Sequence, residues 1–590
     1  MKLSDYVADF LEEKKIKNAY VLTGGCIVHV IDSIAKKKNI NYIPVQHEQS
    51  GAMAADCESR VTKNIGVTLA TSGPGATNLL TGICCSYYDS IPVIAITGQV
   101  PSLKLKKKSK SRQIGFQETD VVSIFKPVTK YCKLIDNPKM IRFELEKAFH
   151  IATTGRPGPV LLDICDDVQR AEIDPKKLKS FKPNVSKKNK FTEKKIKKFL
   201  RLIEQSSRPI LVIGAGVRMG KAEREISSLI NRLNIPFLLT WGAMDVINHE
   251  HKLFSGSFGV TSGRAGNFAV QNSDLIIAIG TRLDSHEVGS DIKTFAREAK
   301  RVVIDIDNSE QIKYKKMGFK VDILHTQDSK SFLTDILTNT KKYKKKDTSN
   351  WLKKTKSWLQ RYPSCNAKTN NQKKNVNPYF FMNQLSELSN DKSIIVTDCG
   401  SNLIWTMQGF KVKGSQRLIS AWNHSPMGYS LPASIGASFA EPQNKVICII
   451  GDGGLQINIQ ELATISKHNL NIAIFLLNNH CHGIIQGTQQ SWLNSRFHAS
   501  DPIQGKLPDP DFSKISEAYN IKSLDVDNHL HLKKKIKFAL SLNGPILCNV
   551  HMNRESQIYP KLLFGRPIED SHPLLNRKEF KSQMIVKTIS

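Results

Sequence analysis

The stretch CIIGDGGLQINIQELATISKHNLNIAIFLLNNHCHG, residues 448–483, contains two apolar runs that each end in a polar turn. The first run, at 446–450, is followed by GDGG at 451–454, and a helix-like segment then leads to the second run, at 472–477. That run ends in the turn NN at 478–479. Strand, helix and strand in this order are typical of a parallel sheet, in which both polar turns lie at the same edge.

The two turns carry side chains that suit a metal ion. Asp452 and Asn479 offer hard oxygen ligands, as preferred by Mg²⁺, which completes its octahedron with water and phosphate oxygens. Glycines beside the acid let backbone N–H groups approach a pyrophosphate closely. A GDGG turn alone is a weak signal, because such turns also end ordinary strands. Together with the NN turn after the next strand, it predicts a site for Mg²⁺ and a diphosphate.

Length and composition exclude several protein classes. The 590 residues are too many for one core and suggest three or four domains. No uncharged apolar run reaches the length of about 18 residues needed to span a membrane, and the first residues do not read as a signal peptide. The 11 cysteines include no C-x-x-C pair and no zinc spacing, which favours reduced thiols in a cytoplasmic protein.

The net charge of +32 raises the question of a nucleic-acid partner. Lysines concentrate in residues 104–112, 176–198 and 341–356. Two of these runs fall where linkers between domains are predicted, so solvated, lysine-rich linkers are the better interpretation. A basic scaffold or nucleic-acid-binding protein on a degenerate enzyme fold stays as the alternative.

Alternating apolar strands and helical patterns predict three consecutive α/β domains, each a doubly wound parallel sheet. Their predicted bounds are residues 1–180, 190–340 and 375–560, and residues 561–590 are predicted to form an irregular tail. The predicted strands are 18–23, 42–46, 65–71, 91–97 and 158–164, then 208–214, 236–240, 275–280 and 301–307, and finally 393–398, 445–452, 472–479 and 544–550.

Further motifs follow one another in a specific order. They are HEQSGAMAA (47–55), TSGPGATN (71–78), GFQETD (115–120), GAGVR (214–218), IGTRLDS (279–285), VVIDID (302–307) and HSPMGYSLPASIGA (424–437), before GDGG and NN. Over roughly residues 1 to 560 the chain resembles acetolactate synthase large subunits, a family of enzymes dependent on thiamine diphosphate (ThDP). The segment IYPKLLFGRPIEDSHPLL (558–575) weakly resembles the lipopolysaccharide or sugar-locus branch.

The resemblance implies a role for Glu48, which alone would be read as an acid complementing a helix dipole. In the family this glutamate binds N1′ of the ThDP aminopyrimidine and shares a proton with it. The other residues implied to act at the reaction centre are Gly25, Phe116 and Gln117. The implied ThDP-binding set is Pro74, Asn78, Ser401, Asn402, Met427, Gly451, Asp452, Gly453, Gly454, Asn479, Cys481 and Gly483.

Within that set, the resemblance implies that Asp452, Asn479 and the main-chain carbonyl of Cys481 hold Mg²⁺. Met427 corresponds to an apolar wedge that bends ThDP, although an isolated methionine is usually core filler.

Two departures from the family pattern bear on specificity and geometry. Ser425-Pro426 replaces a glycine before the wedge, so the nearby carbonyl is expected to sit differently. Thr488 stands where biosynthetic synthases have a tryptophan that helps to select 2-ketobutyrate. A different, wider and more polar acceptor pocket is therefore expected, one suited to a ketosugar.

The central domain is expected to bind FAD, and an empty or differently occupied domain is the alternative. A lone G-x-G is weak evidence for a dinucleotide. The residues implied to line FAD are Arg156, Gly214, Gly216, Thr240, Gly259, Arg282, Asp305 and Asp322. A second arginine, expected shortly after Arg282, is His286 here.

The sequence thus predicts a cytoplasmic enzyme dependent on ThDP and Mg²⁺. It would decarboxylate pyruvate or a similar 2-oxoacid and transfer the two-carbon unit to a second carbonyl compound. The resemblance implies a homodimer or homotetramer with active sites between subunits, and neither a membrane nor a nucleic acid is expected as a partner. A simple pyruvate decarboxylase or oxidase is the rival within the same class.

Overall fold

A computed structural model describes residues 1–107, 109–184, 189–340, 343–365 and 374–589. The described chain contains three sheets of six strands, and every strand pairs in parallel with its neighbours. The predicted architecture of three parallel α/β sheets is therefore confirmed. Parts of all three lysine-rich runs, namely residues 108, 185–188 and 341–342, lie outside the described residues, and the exact domain boundaries stay predictions.

Eighteen strands form the three sheets. The first sheet contains β1 (Asn18–Val21), β2 (Asn41–Pro44), β3 (Gly66–Ala70), β4 (Val93–Gln99), β5 (Tyr131–Ile135) and β6 (Val160–Cys165). The central sheet contains β7 (Pro209–Ile213), β8 (Phe237–Leu239), β9 (Phe254–Ser257), β10 (Leu275–Ile279), β11 (Lys300–Asp305) and β12 (Ile323–Thr326). The third contains β13 (Ile394–Thr397), β14 (Arg417–Ile419), β15 (Val446–Gly451), β16 (Ile472–Asn478), β17 (Lys522–Val526) and β18 (Ile546–His551).

Helices cover the sheets. In the first unit they are Leu3–Glu13, Val28–Ala35, Glu48–Thr62, Pro74–Asn78, Leu80–Asp89, Val121–Phe125, Ile141–Thr153 and Asp166–Arg170. In the central unit they are Glu193–Gln205, Gly216–Met219, Glu223–Leu233, Arg264–Gln271, Ser285–Val288, Asn308–Lys316, Ser329–Asn339 and Ser349–Arg361. In the third they are Pro378–Leu388, Ser401–Gly409, Ser430–Ala440, Asp452–Ile457, Glu461–Lys467, Gly483–Trp492, Phe512–Ala518 and Leu532–Ser541, and Arg577–Gln583 follows.

The strand order shows where ligands can bind at the edge of each sheet. The first sheet runs β2-β1-β3-β4-β6-β5 and the third runs β14-β13-β15-β16-β18-β17, which is the same order counted from each sheet's first strand. The central order, β12-β11-β10-β7-β8-β9, is that of dinucleotide-binding sheets. In such sheets the order reverses at a switch point, and ligands bind there, outside the carboxyl ends of the strands. The switch points lie between β1 and β3, β7 and β10, and β13 and β15.

The first and third units pack directly on each other through two helices. Glu48–Thr62 lies against Ser430–Ala440, and both helices present small residues at the contact. A side chain on Gly436 would overlap the backbone carbonyl of Ala54, so glycine is required for this close approach. The carboxyl edges of the two sheets are thereby held in one body.

The C-terminal segment predicted as an irregular tail is more ordered than expected. It contains the helix Arg577–Gln583, and Ile568 and Phe580 are buried against the central sheet's helices. Trp358 Nε1 donates to Gln583 Oε1 at 3.0 Å. The polar composition of the segment concealed these few apolar anchors.

None of the helices in the described part of the chain has the length and apolar character needed to cross a membrane.

Candidate functional site

The carboxyl edge of the third sheet holds Asp452 at the start of the helix Asp452–Ile457. Its two carboxylate oxygens accept backbone hydrogen bonds, one from Gly453 N at 2.7 Å and one from Cys481 N at 3.1 Å. The turn after β16 therefore folds back onto the turn after β15. Burial raises the pKa of Asp452 to about 6.

The turn after β13 meets the same place. A Cβ on Gly483 would lie 2.7 Å from Asn479 Nδ2 and 3.5 Å from Ser401 Oγ, and a Cβ on Gly451 would lie 3.4 Å from Asn402 Oδ1. Asn402 is buried, and its Nδ2 has no hydrogen-bond partner within the described residues. A buried donor without a partner is costly, so this amide is suited to a ligand that accepts a hydrogen bond.

Met427 lies beside this turn cluster. It lines a cavity of about 290 Å³ together with Asp452, Gly453 and His482. A Cβ on Gly453 would lie 2.9 Å from the Met427 methyl carbon and would overlap the His482 ring, so only glycine leaves this space open. The departure at Ser425 has a structural counterpart, because its φ of 50° lies in the left-handed region that usually favours glycine.

Sequence reasoning missed Asp398, which ties these turns together. Its carboxylate accepts from the backbone N–H groups of Cys399 at 2.8 Å, Gly428 at 3.0 Å and Ser430 at 3.0 Å, and also from the Ser430 hydroxyl. Burial raises the pKa of the Asp398 carboxyl. An acid directly after a buried strand was the available signal, but its partners lie about thirty residues away in sequence.

Asn458 was missed for the same reason. Its Nδ2 donates to the Gly428 carbonyl at 2.8 Å, and its Oδ1 lies 3.3 Å from both Gln49 Nε2 and Ser50 Oγ. One buried amide thus joins the turn after Met427 to the first turn of the helix that begins with Glu48.

Glu48 itself is buried at the carboxyl edge of the first sheet. Its Oε2 accepts a hydrogen bond from Asn78 Nδ2 at 2.9 Å, and a Cβ on Gly75 would lie 3.2 Å from its Oε1. The turn that carries Pro74 and Asn78 therefore meets Glu48. Gly25 faces open space, since a Cβ there would contact nothing within 4 Å among the described residues.

The loop after β4 brings Gln117 to the same edge. A Cβ on Gly73 would lie 2.9 Å from the Gln117 carbonyl oxygen, and Gln117 adopts a left-handed φ of 62°. Phe116 points outward and is 85% exposed. The structure thus brings Gln117 onto the glycine-rich turn, while the Phe116 ring is not covered by any of the described residues.

Glu118, missed by the sequence reasoning, fixes this loop from inside. Its buried carboxylate accepts from the backbone N–H groups of Ile114 at 2.9 Å, Gly115 at 3.4 Å and Lys106. A carboxylate with several backbone donors sets the course of a loop, as an acid does at a helix N-terminus.

Two adjoining cavities, of about 640 and 690 Å³, lie at the switch point of the central sheet. Both are lined by Ala215, Met219, Gly280 and Arg282. The first also contains Arg156, Gly216 and Asp305, and the second contains Thr240, Trp241 and His286. Together they offer an elongated space between the central unit and its neighbours.

Most of the residues predicted to bind FAD lie at or beside the two central cavities, but Asp322 does not. Gly214 and Gly259 shape the backbone beside the cavities, since side chains there would crowd the carbonyl oxygens of Gly280 and His286, respectively. Asp322 does not reach the cavities: its Oδ2 accepts from Arg301 N at 2.9 Å, at the amino end of β12. Ligands of such sheets meet the carboxyl end of the strands, where Asp328 and not Asp322 lines the cavity.

The second central cavity contains a buried acid and an aromatic pair. Burial raises the pKa of Glu287 to about 8, and Thr281 Oγ1 donates to its carboxyl at 2.6 Å. The rings of Trp241 and His286 lie 4.2 Å apart between centroids, and His286 Nε2 is 3.1 Å from Thr261 Oγ1. His286 therefore contacts protein groups on both sides instead of supplying the fixed charge of an arginine.

Within the described residues, no cluster of three or more His, Cys, Asp or Glu side chains is suited to a metal. The predicted magnesium ligands contain one such side chain, Asp452, together with an amide and a main-chain carbonyl. The backbone N–H of Cys481 contacts the Asp452 carboxylate directly. The side chains of Asn479 and Ser401 both lie close to Gly483.

Comparison with known families finds three matches along the chain. The thiamine pyrophosphate (TPP) enzyme N-terminal TPP binding domain matches residues 1–124, the central domain matches 196–336, and the C-terminal TPP binding domain matches 398–550. The first two ranges contain both strands of a switch point, and the third begins directly after β13 and contains β15.

Similar proteins extend over nearly the whole chain. The acetolactate synthase large subunit of Cyanidium caldarium is 34% identical over 95% of this chain and 94% of its own length. The probable acetolactate synthase large subunit of Methanocaldococcus jannaschii is 35% identical, covering 93% of this chain and 92% of its own. The acetolactate synthase large subunit of Porphyra purpurea is 32% identical, covering 92% of this chain and 90% of its own length. The resemblance of residues 558–575 to a sugar-locus branch stays a prediction.

Proposed function

The chain belongs to the thiamine pyrophosphate enzymes, and from this premise we propose that it is a carboligase similar to acetolactate synthase. The donor is pyruvate or a close 2-oxoacid. Its bond between carboxylate and carbonyl carbon breaks, CO₂ leaves, and the two-carbon unit bonds to the carbonyl carbon of an acceptor, whose oxygen takes a proton. The observation that carries the proposal is that Glu48 and Asp452 each begin a helix at the carboxyl edge of a sheet, in two sheets that share one strand order and pack directly on each other.

Thiamine diphosphate, when bound, holds the electron pair that remains when CO₂ leaves. The residues at the third sheet fit its diphosphate. The Asn402 amide has no partner within the described residues, and the glycines at 451 and 483 leave the turn backbones open. Helix starts at Ser401 and Asp452 direct backbone N–H groups toward the same place, as expected for an anion site.

We assign Mg²⁺ to Asp452, Asn479 and the main-chain carbonyl of Cys481. The donor set is one carboxylate and two neutral oxygens, which suits a hard cation that keeps water and phosphate ligands. The contact between Cys481 N and the Asp452 carboxylate supports this assignment, because it already gathers the two turns.

Glu48 holds and returns a proton at the pyrimidine ring of the cofactor. Asn78 orients the carboxylate through Oε2, and Oε1 has no hydrogen bond within the described residues. Because the side chain is buried, water is largely kept from the shared proton, which strengthens the effect of the acid.

We propose that FAD occupies the two central cavities. The central strand order supports a dinucleotide, and the two cavities share the lining residues Ala215, Met219, Gly280 and Arg282. Asp305, buried at the end of β11, suits a ribose hydroxyl, and Trp241 offers an aromatic face at the other end. Where FAD serves redox chemistry the enzyme would be an oxidase, so product analysis distinguishes the two roles.

Assembly into a homodimer or homotetramer supplies the rest of the site. Phe116 is 85% exposed and Leu103, at the base of the same loop, is 93% exposed. A second copy of the chain would cover these side chains and close the edge that carries Gly25. A reducing compartment such as the cytoplasm suits the eleven cysteines, none of which is in a disulfide.

The acceptor pocket is wider and more polar than one closed by tryptophan. Thr488 lines a cavity of about 540 Å³ that reaches Ser401 and Gly483. A hydroxylated acceptor such as a ketosugar fits this description better than 2-ketobutyrate does.

The test is product analysis of the purified protein with ThDP, Mg²⁺ and pyruvate, alone and with candidate ketosugars. Mass spectrometry is expected to find a product that contains the acceptor plus two carbons. Acetaldehyde alone would indicate a decarboxylase, and acetyl phosphate or acetate with reduced FAD would indicate an oxidase. Failure to bind ThDP, combined with DNA binding that weakens with salt, would favour the basic scaffold.

A further inference from the structure

The cavity of about 540 Å³ lies between the helix Gly483–Trp492 and residues 556–564. Ser401 and Gly483 line its inner end, beside the turns assigned to the cofactor diphosphate. Trp492 and Phe564 flank its outer end, with ring centroids 6.4 Å apart in an edge-to-face arrangement. The cavity therefore leads from the proposed cofactor to the protein surface.

Its walls combine hydroxyl groups with one cation. Thr488, Ser491, Ser556 and Gln557 contribute polar side chains. Lys561 is the one charged residue among the described residues that line it. No carboxylate faces that charge across the cavity, which differs from the many paired cations elsewhere on this protein.

The ammonium group of Lys561 lies in the cavity beside Gly487. The side chain is half-buried, and a Cβ on Gly487 would lie 3.5 Å from Nζ and 3.7 Å from Gln557 Oε1. Within the described residues, Nζ makes no ion pair or hydrogen bond that meets ordinary distance criteria. Because Gly487 has no side chain, nothing on the helix separates the ammonium from the space beside Thr488.

An unpaired ammonium in a partly dehydrated place is costly unless a ligand supplies the opposite charge. Burial lowers the pKa of Lys561, in keeping with that cost. Hydroxyl groups around a single cation match a polyhydroxylated molecule that carries one anionic group.

We propose that Lys561 binds the anionic group, a carboxylate or a phosphate, of a hydroxylated acceptor substrate, and thereby determines acceptor specificity. The inference rests on the proposed carboligase function and names the class of its second substrate. Gly487 and Thr488 provide the room beside the ammonium, and the serine hydroxyls on either side bind the substrate's own hydroxyl groups.

Binding of small unreactive probes tests whether an anionic group increases affinity, independently of any reaction. Glycerol 3-phosphate, D-glycerate and glycerol share a three-carbon hydroxylated frame and differ in the anionic group. Calorimetry on the protein loaded with ThDP and Mg²⁺ is expected to show at least one anion binding roughly tenfold more tightly than glycerol. Which anion binds better identifies phosphate or carboxylate as the preferred group.

Variants then assign the preference to Lys561. In Lys561→Met the roughly tenfold preference for the anion should be lost, so that the anion and glycerol bind about equally, as expected when a hydrogen bond between charged groups is removed. Lys561→Arg should retain most of it. Lys356→Met is the matched control, because Lys356 is also half-buried, with its pKa lowered by burial, but lies on the helix Ser349–Arg361 away from this cavity.

Equal affinity for all three probes, no binding of either anion at millimolar concentration, or an unchanged preference in Lys561→Met would each overturn the proposal. Pyruvate consumption separates this outcome from failure of the proposed function. If pyruvate releases CO₂ but glyceraldehyde 3-phosphate and glyceraldehyde serve as acceptors with the same kcat/KM, only the role of Lys561 is wrong. If pyruvate is not consumed at all, the carboligase function is wrong, and the probe affinities still judge Lys561.

Discussion

The first and third sheets share one strand order, but their carboxyl edges are held to different degrees. At the third sheet, Asp398 alone gathers four hydrogen bonds, and both oxygens of Asp452 accept backbone donors. At the first sheet, Glu48 has a single described partner, Asn78, and Gly25 faces open space. One chain therefore builds a closed edge on the third sheet, proposed for the diphosphate, and an open edge on the first sheet, proposed for the pyrimidine.

The difference lies in the neighbouring loops. The turns of the third sheet are buried against one another, whereas the loop of the first sheet ends in exposed apolar side chains at Leu103 and Phe116. Exposed apolar surface beside a ligand site usually marks a contact with another molecule. An edge of this kind works only when a second surface covers it, which the proposed assembly provides.

The largest effect is expected at the complete edge. Asp452→Asn keeps the shape of the side chain but removes its charge, so the proposed metal loses its one carboxylate. Losing a buried charged partner costs roughly 3–5 kcal/mol, and affinity for ThDP with Mg²⁺ should fall by more than about a hundredfold. Calorimetry measures it, with Asp391→Asn, a largely exposed acid, as control. Unchanged affinity would remove Asp452 from the site.

The pH dependence of the free energy of unfolding tests the packing of the first unit beneath the open edge of its sheet. Glu58, on the same helix as Glu48, is buried and accepts from Tyr20 and Asn18. Burial raises its pKa to about 7. The folded state therefore holds the proton more tightly than the unfolded state, so this contribution to stability is present below about pH 4.5 and is lost as pH rises to about 7.

Glu58→Gln removes this pH dependence. Its stability relative to the natural chain should rise between pH 5 and pH 7 by roughly 2–3 kcal/mol and level off above that, given about 1.4 kcal/mol for each unit of pKa. Denaturant unfolding at several pH values gives the difference, with the exposed Glu441 changed to glutamine as control. A difference independent of pH would show that Glu58 titrates normally.

A substitution at the open edge of the first sheet should lower turnover without lowering affinity for the cofactor. Glu48→Gln keeps the contact with Asn78 but cannot share a proton, so turnover should fall roughly a hundredfold, as for a lost general acid–base group. ThDP affinity should change little. Proton exchange at C2 of the bound cofactor, followed by NMR, is the direct readout, and an exchange rate equal to that of the natural chain would exclude Glu48 from the mechanism.

The smallest effect concerns the loop that carries Phe116 and Gln117. Glu118→Gln removes the charge and replaces one acceptor oxygen by an NH₂ group, so at least one of the three backbone donors loses its acceptor, at a cost of about 1–3 kcal/mol for the local loop structure. The KM for pyruvate should rise severalfold with little change in kcat. Hydrogen exchange of residues 104–118 should quicken in the variant, and Glu118→Asp should recover part of the protection. Unaltered exchange would show that Glu118 does not hold the loop.

The sequence predicted the inner strands of all three sheets and missed edge strands. The missed strands are β5, β9, β12, β14 and β17, and each lies at the edge of its sheet. Central strands such as β15 are buried on both faces and read as continuous apolar runs. Edge strands such as β17, KSLDV, are half-exposed and carry charges, so their pattern resembles a loop.

The site shows a similar division. Gly451, Asp452 and Asn479 could be predicted because strand ends and local turns are encoded within a few residues. Asp398 and Asn458 could not, because their roles depend on partners in distant segments that only the folded chain brings near. Asp322 lies outside the central cavities for a related reason: a motif gives an order of residues but not which end of a strand they occupy.

The matching strand order of the two outer sheets has a consequence for ancestry. Two six-stranded sheets with the same connectivity in one chain are what duplication of a single unit leaves behind. In the proposed assignment the first sheet carries the acid and the third carries the turn that holds the metal. Neither unit can then replace the other, so a substitution in either is expected to reduce activity, through proton transfer in the first and through cofactor affinity in the third.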